Sequence, residues 1–152
     1  MDYYNTCEEG EWTEETVSKR ISQVLTREDS MCLVAELEGK LAAFAFGYME
    51  QYDDGFAYDL VEIVVDRRLQ SRGIGSAFMA EIERCAKERG AFLIQLQAVA
   101  DDAHERFYGR LGYKNALNFV LKCKMLNLNR SMTFSGHAPV FLSAIYFACP
   151  SR

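Results

Sequence analysis

One stretch constrains this chain more than any other. Phe56–Val65, rich in Val, Ile and aromatic residues, leads through Gln70-Ser71-Arg72-Gly73-Ile74-Gly75-Ser76 into a helical pattern that runs from Ile74 to Arg89. A strand, a glycine turn and a helix in that order predict an α/β unit. Glycines at such a turn let backbone N–H groups approach a ligand closely, and the helix N-terminus adds positive potential. Together they form a pyrophosphate cradle, to which Arg72 adds a charged donor. Two other phosphate motifs fail here. A dinucleotide fingerprint would need a third glycine where Phe78 stands, and a P-loop needs a lysine that does not follow Gly75. On the glycines alone, an ordinary strand–helix turn stays open.

The pattern on either side alternates in the same way. Val17, Ile21, Val24 and Leu25 line one face of a helix over residues 13–25, with Thr13, Glu14 and Glu15 as cap and acidic first turn. Met31–Leu37 reads as a strand, Glu38-Gly39-Lys40 as a turn, and Leu41–Glu50 as the second arm of a hairpin. Gln51–Gly55 is a second turn. In the helix after the glycines, Ile74, Ala77, Phe78, Ile82 and Cys85 share a face and Gly90 caps the end. Phe92–Val99 reads as a strand, Asp102–Leu111 as a helix stopped by Gly112, and Leu117–Met125 as a final strand. The class expected is a mixed α/β sheet with helices on its faces.

At 152 residues and 49% hydrophobic, the chain fits one domain with a core of its own. Composition shifts near 125–127: no Asp or Glu follows Glu105, and both prolines, Pro139 and Pro150, lie near the end. The expected layout is therefore a domain over 1–126 and a tail over 127–152, whose apolar run Val140–Cys149 is an extra element, a dimer contact or an extension. Removing that tail should leave cofactor binding intact. The five cysteines are scattered, without a C-x-x-C spacing, which predicts reduced thiols in a cytoplasmic protein. With only His104 and His137, no His-rich metal centre is expected. A net charge of −5 argues against a nucleic-acid face and mildly favours a cationic ligand. No apolar stretch approaches the ~20 residues that span a bilayer, so no membrane partner is expected.

Val64-Val65-Asp66 followed by Gln70-x-x-Gly73-x-Gly75 resembles the R/Q-x-x-G-x-G/A signature of the GNAT (Gcn5-related N-acetyltransferase) superfamily. Phe107-Tyr108-Gly109-Arg110-Leu111-Gly112-Tyr113 is similar to its F-Y-x-x-L-G-F/Y segment, and the interval between the two motifs matches too. The likeness covers about residues 12–125. It implies the GNAT fold, a mixed, mostly antiparallel sheet with a splayed central strand pair and helices on both faces. It implies acetyl-CoA as co-substrate. Backbone groups of Ile63, Val64 and Val65 would hold the pantetheine arm, and Gln70, Ser71, Arg72, Gly73, Ile74, Gly75 and Ser76 the pyrophosphate. Most members carry Asn where Asp101 sits, which adds Asp101 to the cofactor side. Gly90-Ala91-Phe92 through Gln97-Ala98, Asp101-Asp102, Phe107-Tyr108 and Leu111-Gly112 resemble the gentamicin 3-N-acetyltransferase group of aminoglycoside-modifying enzymes, which has an acidic residue where Glu62 stands. Two departures stand out. Only about ten residues precede Trp12, so the family's first strand is short or missing, and the tail has no family counterpart.

Amine acetylation needs a neutral amine to attack the thioester and a proton for the departing thiolate. The resemblance makes Tyr108 the general acid; the plain alternative is aromatic packing beside Phe107. Glu62 interrupts the apolar run Leu60–Val64, as a base or as an exposed residue on a half-solvated face. Strand alternation would place it with Leu60 and Val64. Asp101 and Asp102 would sit at the cleft mouth or cap the helix through Tyr108, the cap reading falling on Asp102. Asp53, Asp54 and Asp59 line the acceptor side or form a solvated loop, and His104 reads as a surface histidine. No cysteine is placed to carry an acyl group, so direct transfer in a ternary complex is expected. The acceptor expected is a small cationic amine. A protein lysine or N-terminus, or a non-catalytic acyl-CoA-binding module, remains open, as does a homodimer.

Overall fold

The computed structural model describes residues 12–122 and residue 124. The chain before Trp12, and with it the short or missing first strand, lies outside the described residues, as does the tail over 127–152. Helix α1 spans Glu14–Leu25, and the Thr13 hydroxyl caps it by accepting from the Thr16 N–H at 3.2 Å. Strands β1 (Ser30–Leu37) and β2 (Lys40–Gln51) form the expected hairpin, turning through Glu38 and Gly39, both at positive φ. Strand β3 is Phe56–Val65, followed by a short 3-10 turn at Arg67–Leu69. Helix α2 is Ile74–Glu88, strand β4 Ala91–Leu96 and helix α3 Asp102–Arg110.

The sheet order is β1-β2-β3-β4, antiparallel except for the parallel pair β3/β4. Helices cover both faces. On one face Phe78, Met79, Ile82 and Ala86 of α2 and Tyr108 of α3 pack on Met31, Leu33, Ala43, Ala45, Tyr58, Leu60 and Ile63. Met79 and Ala86, rather than Ala77, complete the buried stripe of α2. On the other face α1 lays Val24 on Phe46 and Val64, with Val17, Ile21 and Trp12 around them. The two clusters alternate along β2, as a strand period of two requires.

Three sequence expectations change. The strand after α2 is Ala91–Leu96, ending short of Val99. Residues 117–122 form no strand; Leu117, Phe119, Val120 and Leu121 are exposed, and no strand among the described residues supplies the backbone partners that a strand needs, while positions 123 and 125 of the expected Leu117–Met125 lie outside the described residues. The third change is a β-bulge. Phe46 opposes Glu62 while its neighbour Gly47 opposes Leu60, so Val61 is an extra residue in β3. The bulge separates Glu62 from Leu60's face and places it with Val64 and Phe46, under α1.

Candidate active site

The parallel pairing of β3 with β4 runs from Phe56/Ala91 to Leu60/Leu96 and stops. Beyond it β3 continues through Ile63, Val64 and Val65, held on one side by Ala45, Phe44 and Ala43 of β2. The other side of those residues is without a strand partner among the described residues. That parting of two strands is the splay expected from the resemblance. It leaves backbone groups of β3 open to a ligand.

The glycine turn stands at the end of this open edge. Asp66 starts the 3-10 turn, accepting from the Arg68 backbone at 2.9 Å and from its guanidinium at 2.6 Å, and these bonds hold its carboxyl at about 2. The Gln70 side chain folds back to donate to the Val65 carbonyl at 3.2 Å. Ser71 and Gly73 both adopt positive φ, 58° and 81°. Gly73 is the N-cap of α2, and no side chain caps that helix start. The first-turn N–H groups, which have no acceptor within a helix, therefore point out of the end of α2. Gln70, Ser71, Arg72, Gly73 and Ser76 are exposed, while Ile74 and Gly75 are partly buried. A Cβ on Gly75 would sit 3.3 Å from the Phe107 ring and 3.7 Å from Val65. Phe107 of α3, Gly75 of α2 and Val65 of β3 thus meet at one point, which puts the two sequence motifs side by side.

Tyr108 follows Phe107 on α3. It is 8% exposed, in edge-to-face contact with Phe107 at 5.0 Å and Tyr113 at 5.7 Å. Asp101, not Asp102, caps this helix: its Oδ1 accepts from the Ala103 and His104 N–H groups at 2.8 and 2.9 Å. The His104 Nδ1 lies 2.8 Å from Asp101 Oδ2. Burial alone would raise the Asp101 carboxyl, but the His104 backbone and ring outweigh it and hold it below the ordinary range. Asp102 is the first helical residue, its side chain 96% exposed. The cap falls on Asp101 because its extended backbone precedes the first helical turn, which Asp102 already occupies.

Glu62 is not the exposed residue of the plain reading. It is 1% exposed, under α1, and its Oε2 accepts from Arg20 Nε at 2.6 Å. Along the same face lies a second polar group. Tyr48 donates to Asp59 at 3.1 Å, and Gln95 of β4 reaches Glu50, Asp59 and the Tyr52 hydroxyl within 3.4 Å. Burial raises the Asp59 carboxyl, and burial with Asp59 beside it pushes the Tyr48 phenol up to about 12. Arg27 stacks over the Tyr48 ring at 3.8 Å. Asp53 and Asp54 are exposed in the β2–β3 turn, apart from this group.

Tyr108 and Glu62 therefore lie on opposite faces of the sheet, at the level where β3 loses its β4 neighbour. Sequence reading missed Arg20 and Gly47. Arg20 falls three residues after Val17 and four before Val24, a charge on an apolar stripe, which was the available signal. Gly47 is a lone glycine within a strand pattern, the usual mark of a bulge or close approach. A Cβ there would run into the Asp59 carbonyl and lie 2.7 Å from the Tyr58 hydroxyl.

Comparison with known proteins bears on the family and the fold. The model of the acetyltransferase (GNAT) family matches residues 1–113. A glucosamine-6-phosphate N-acetyltransferase from Arabidopsis thaliana superposes with TM-score 0.59 at 22% identity, covering 78% of this chain and 82% of its own. A GNAT family acetyltransferase of Staphylococcus aureus gives 0.61 at 16%, covering 78% and 84%. An aminoglycoside acetyltransferase from an uncultured soil metagenomic sample, in complex with sisomicin, gives 0.59 at 18%, covering 81% and 83%. At these identities the likeness is one of fold. No curated protein sequence matches the chain.

Proposed function

The chain belongs to the GNAT acetyltransferase family, and on that premise we propose that it moves an acetyl group from acetyl-CoA to a primary amine of a small cationic molecule within one ternary complex. The observation that carries this reading is the open edge of β3 beyond Leu60, ending at a helix start that no side chain caps. The residues present fit acetyl-CoA: along Ile63–Val65, alternate residues turn their backbone groups away from β2 and offer hydrogen bonds to a pantetheine arm. The turn from Gln70 to Ser76 offers glycine-spaced N–H groups, a helix N-terminus and the exposed Arg72 to a pyrophosphate. Asp101 contributes by starting α3 and so holding Phe107 against Gly75.

Acetyl-CoA supplies an activated thioester carbonyl. The chain supplies proton management on either side of it. Tyr108, reaching from the α2/α3 face, protonates the departing sulfur. Glu62, on the α1 face, takes the proton released by the amine through water. Asp59 and Glu50 lie on that same face, and their negative charge favours a cationic acceptor. No cysteine enters the reaction.

The test is release of free CoA from acetyl-CoA, followed with a thiol reagent across aminoglycosides, polyamines, amino acids, arylalkylamines and a lysine peptide. Turnover confined to small cationic amines, and lost in Tyr108→Phe, is the expected result. Turnover of the peptide alone would move the acceptor to protein. Acetyl-CoA binding without turnover of any amine would leave a non-catalytic acyl-CoA module.

A further inference from the structure

We propose that Arg20 is a positioning residue for catalysis: it holds the Glu62 carboxylate in place from across the α1 face. This rests on the role given to Glu62 above. Of the charged side chains on α1, only Arg20 turns inward; Glu14, Glu15 and Lys19 are exposed. It reaches 42 residues along the chain to bond Glu62 Oε2 through Nε at 2.6 Å. The Glu62 side chain has no exposed surface, and that of Arg20 is 22% exposed. On this face of the sheet Val24, Phe46 and Val64 form an apolar cluster, with Val61 packed against it.

Two features separate this contact from simple adhesion between helix and sheet. Apolar side chains of similar volume commonly hold such an interface as well as a buried ion pair does, so adhesion alone does not require the pair. The geometry is also incomplete in a costly way. Among the described residues Arg20 Nη2 is buried without an acceptor, so its loss of water goes uncompensated. A pair built for stability would use the bidentate fork that arginine offers a carboxylate. Here Nε engages Oε2, so the arginine bears on one oxygen of the carboxylate. The bulge at Val61 is what turns Glu62 toward this clamp, so bulge, helix and arginine act on one group.

A double-mutant cycle on the full chain tests this, using the amine turned over fastest in the panel. Steady-state constants are measured for the unaltered protein, Arg20→Gln, Glu62→Gln, Arg20→Lys and the double variant Arg20→Gln/Glu62→Gln. Arg20→Gln should lower kcat about tenfold or more while the KM for acetyl-CoA stays within about twofold, and it should cost nothing further once Glu62 is Gln. Arg20→Lys keeps the charge but not the planar donor, and should restore part of the loss. If Arg20→Gln does not fold, Arg20→Lys carries the same test in both backgrounds. Equal loss in both backgrounds, no loss at all, or a matching rise in acetyl-CoA KM overturns the proposal. If Glu62→Gln keeps full kcat while Tyr108→Phe is inactive, the role of Glu62 fails first and that of Arg20 with it. A deficient Glu62→Gln beside an unaffected Arg20→Gln refutes Arg20 alone.

Discussion

On the α2/α3 face, the parts that meet are short in sequence and regular in kind: a glycine turn, the first turn of a helix, and an aromatic pair on the next helix. Gly75, Phe107 and Val65 come together because each sits at a fixed place on its own element. On the α1 face the parts are distant and irregular. Arg20 meets Glu62 only because a bulge at Val61 turns one strand residue over and because a helix carries one charge on its apolar stripe. Packing of regular elements is redundant, and many substitutions leave it standing. A buried ion pair behind a bulge depends on single atoms. The first face should therefore tolerate change in its helices and fail at its glycines, while the second should fail wherever register is disturbed.

The largest expected effect tests the second claim. Gly47→Ala places a Cβ against the Tyr58 hydroxyl and against the Asp59 carbonyl, a backbone group that cannot yield without moving β3. A loss of about 4 kcal/mol or more is expected, seen as a collapse of the thermal midpoint or as insoluble protein. An alanine variant of ordinary stability would mean that the bulge adjusts freely and that the α1 face is not so exacting.

Next in size is Tyr108→Phe, which removes one oxygen and leaves the ring contacts with Phe107 and Tyr113. Under the proposed mechanism kcat falls about a hundredfold or more, while the melting temperature barely moves. A variant with unchanged kcat would reduce Tyr108 to packing and break the assignment of proton donation to the α2/α3 face.

How much of this was legible beforehand follows the same division. The elements through α2 and the Thr13 cap are readable because propensity, period and glycine placement act locally; the splay follows only from the family resemblance, and the meeting of the two motifs was not read. The cap of α3 was misplaced by one residue, since Asp101 and Asp102 are chemically alike and only backbone geometry separates them. Alternation put Glu62 with Leu60 because period-two counting assumes no bulge, and the signal against that, Gly47, lay on the neighbouring strand. Leu117–Met125 reads as a strand from composition alone, but a strand is defined by its neighbour. The partnership of Arg20 with Glu62 was not readable, because nothing local links residues that far apart.

A smaller effect belongs to the turn. Gly73 sits at φ 81° with open space around its Cβ, so Gly73→Ala meets no clash and pays only for the left-handed backbone, about 1–2 kcal/mol. That strain falls where α2 begins, so acetyl-CoA affinity should drop measurably in a thermal-shift titration. The KM for the amine should change little. Equal loss on both substrates would mean that the two faces are not separable.

The smallest effect concerns Asp101. Removing the cap with Asp101→Ala should cost about 1 kcal/mol, because two N–H groups at the start of α3 lose their acceptor. Its folded carboxyl titrates below the unfolded value, so its contribution is fully present above the ordinary carboxylate range, about pH 4, and is lost as the pH falls through the lower folded value. The gap in stability between the unaltered protein and Asp101→Ala should accordingly be widest near neutrality and close in acid, measured by denaturant unfolding at several pH values. Asp101→Asn separates cap from charge: the amide oxygen still accepts from the helix N–H groups, so most of the stability should return while its dependence on acid disappears. If instead both variants lose acetyl-CoA binding far beyond their loss of stability, the carboxylate acts on the ligand directly. The α2/α3 face would then contain a charge as critical as the one beneath α1.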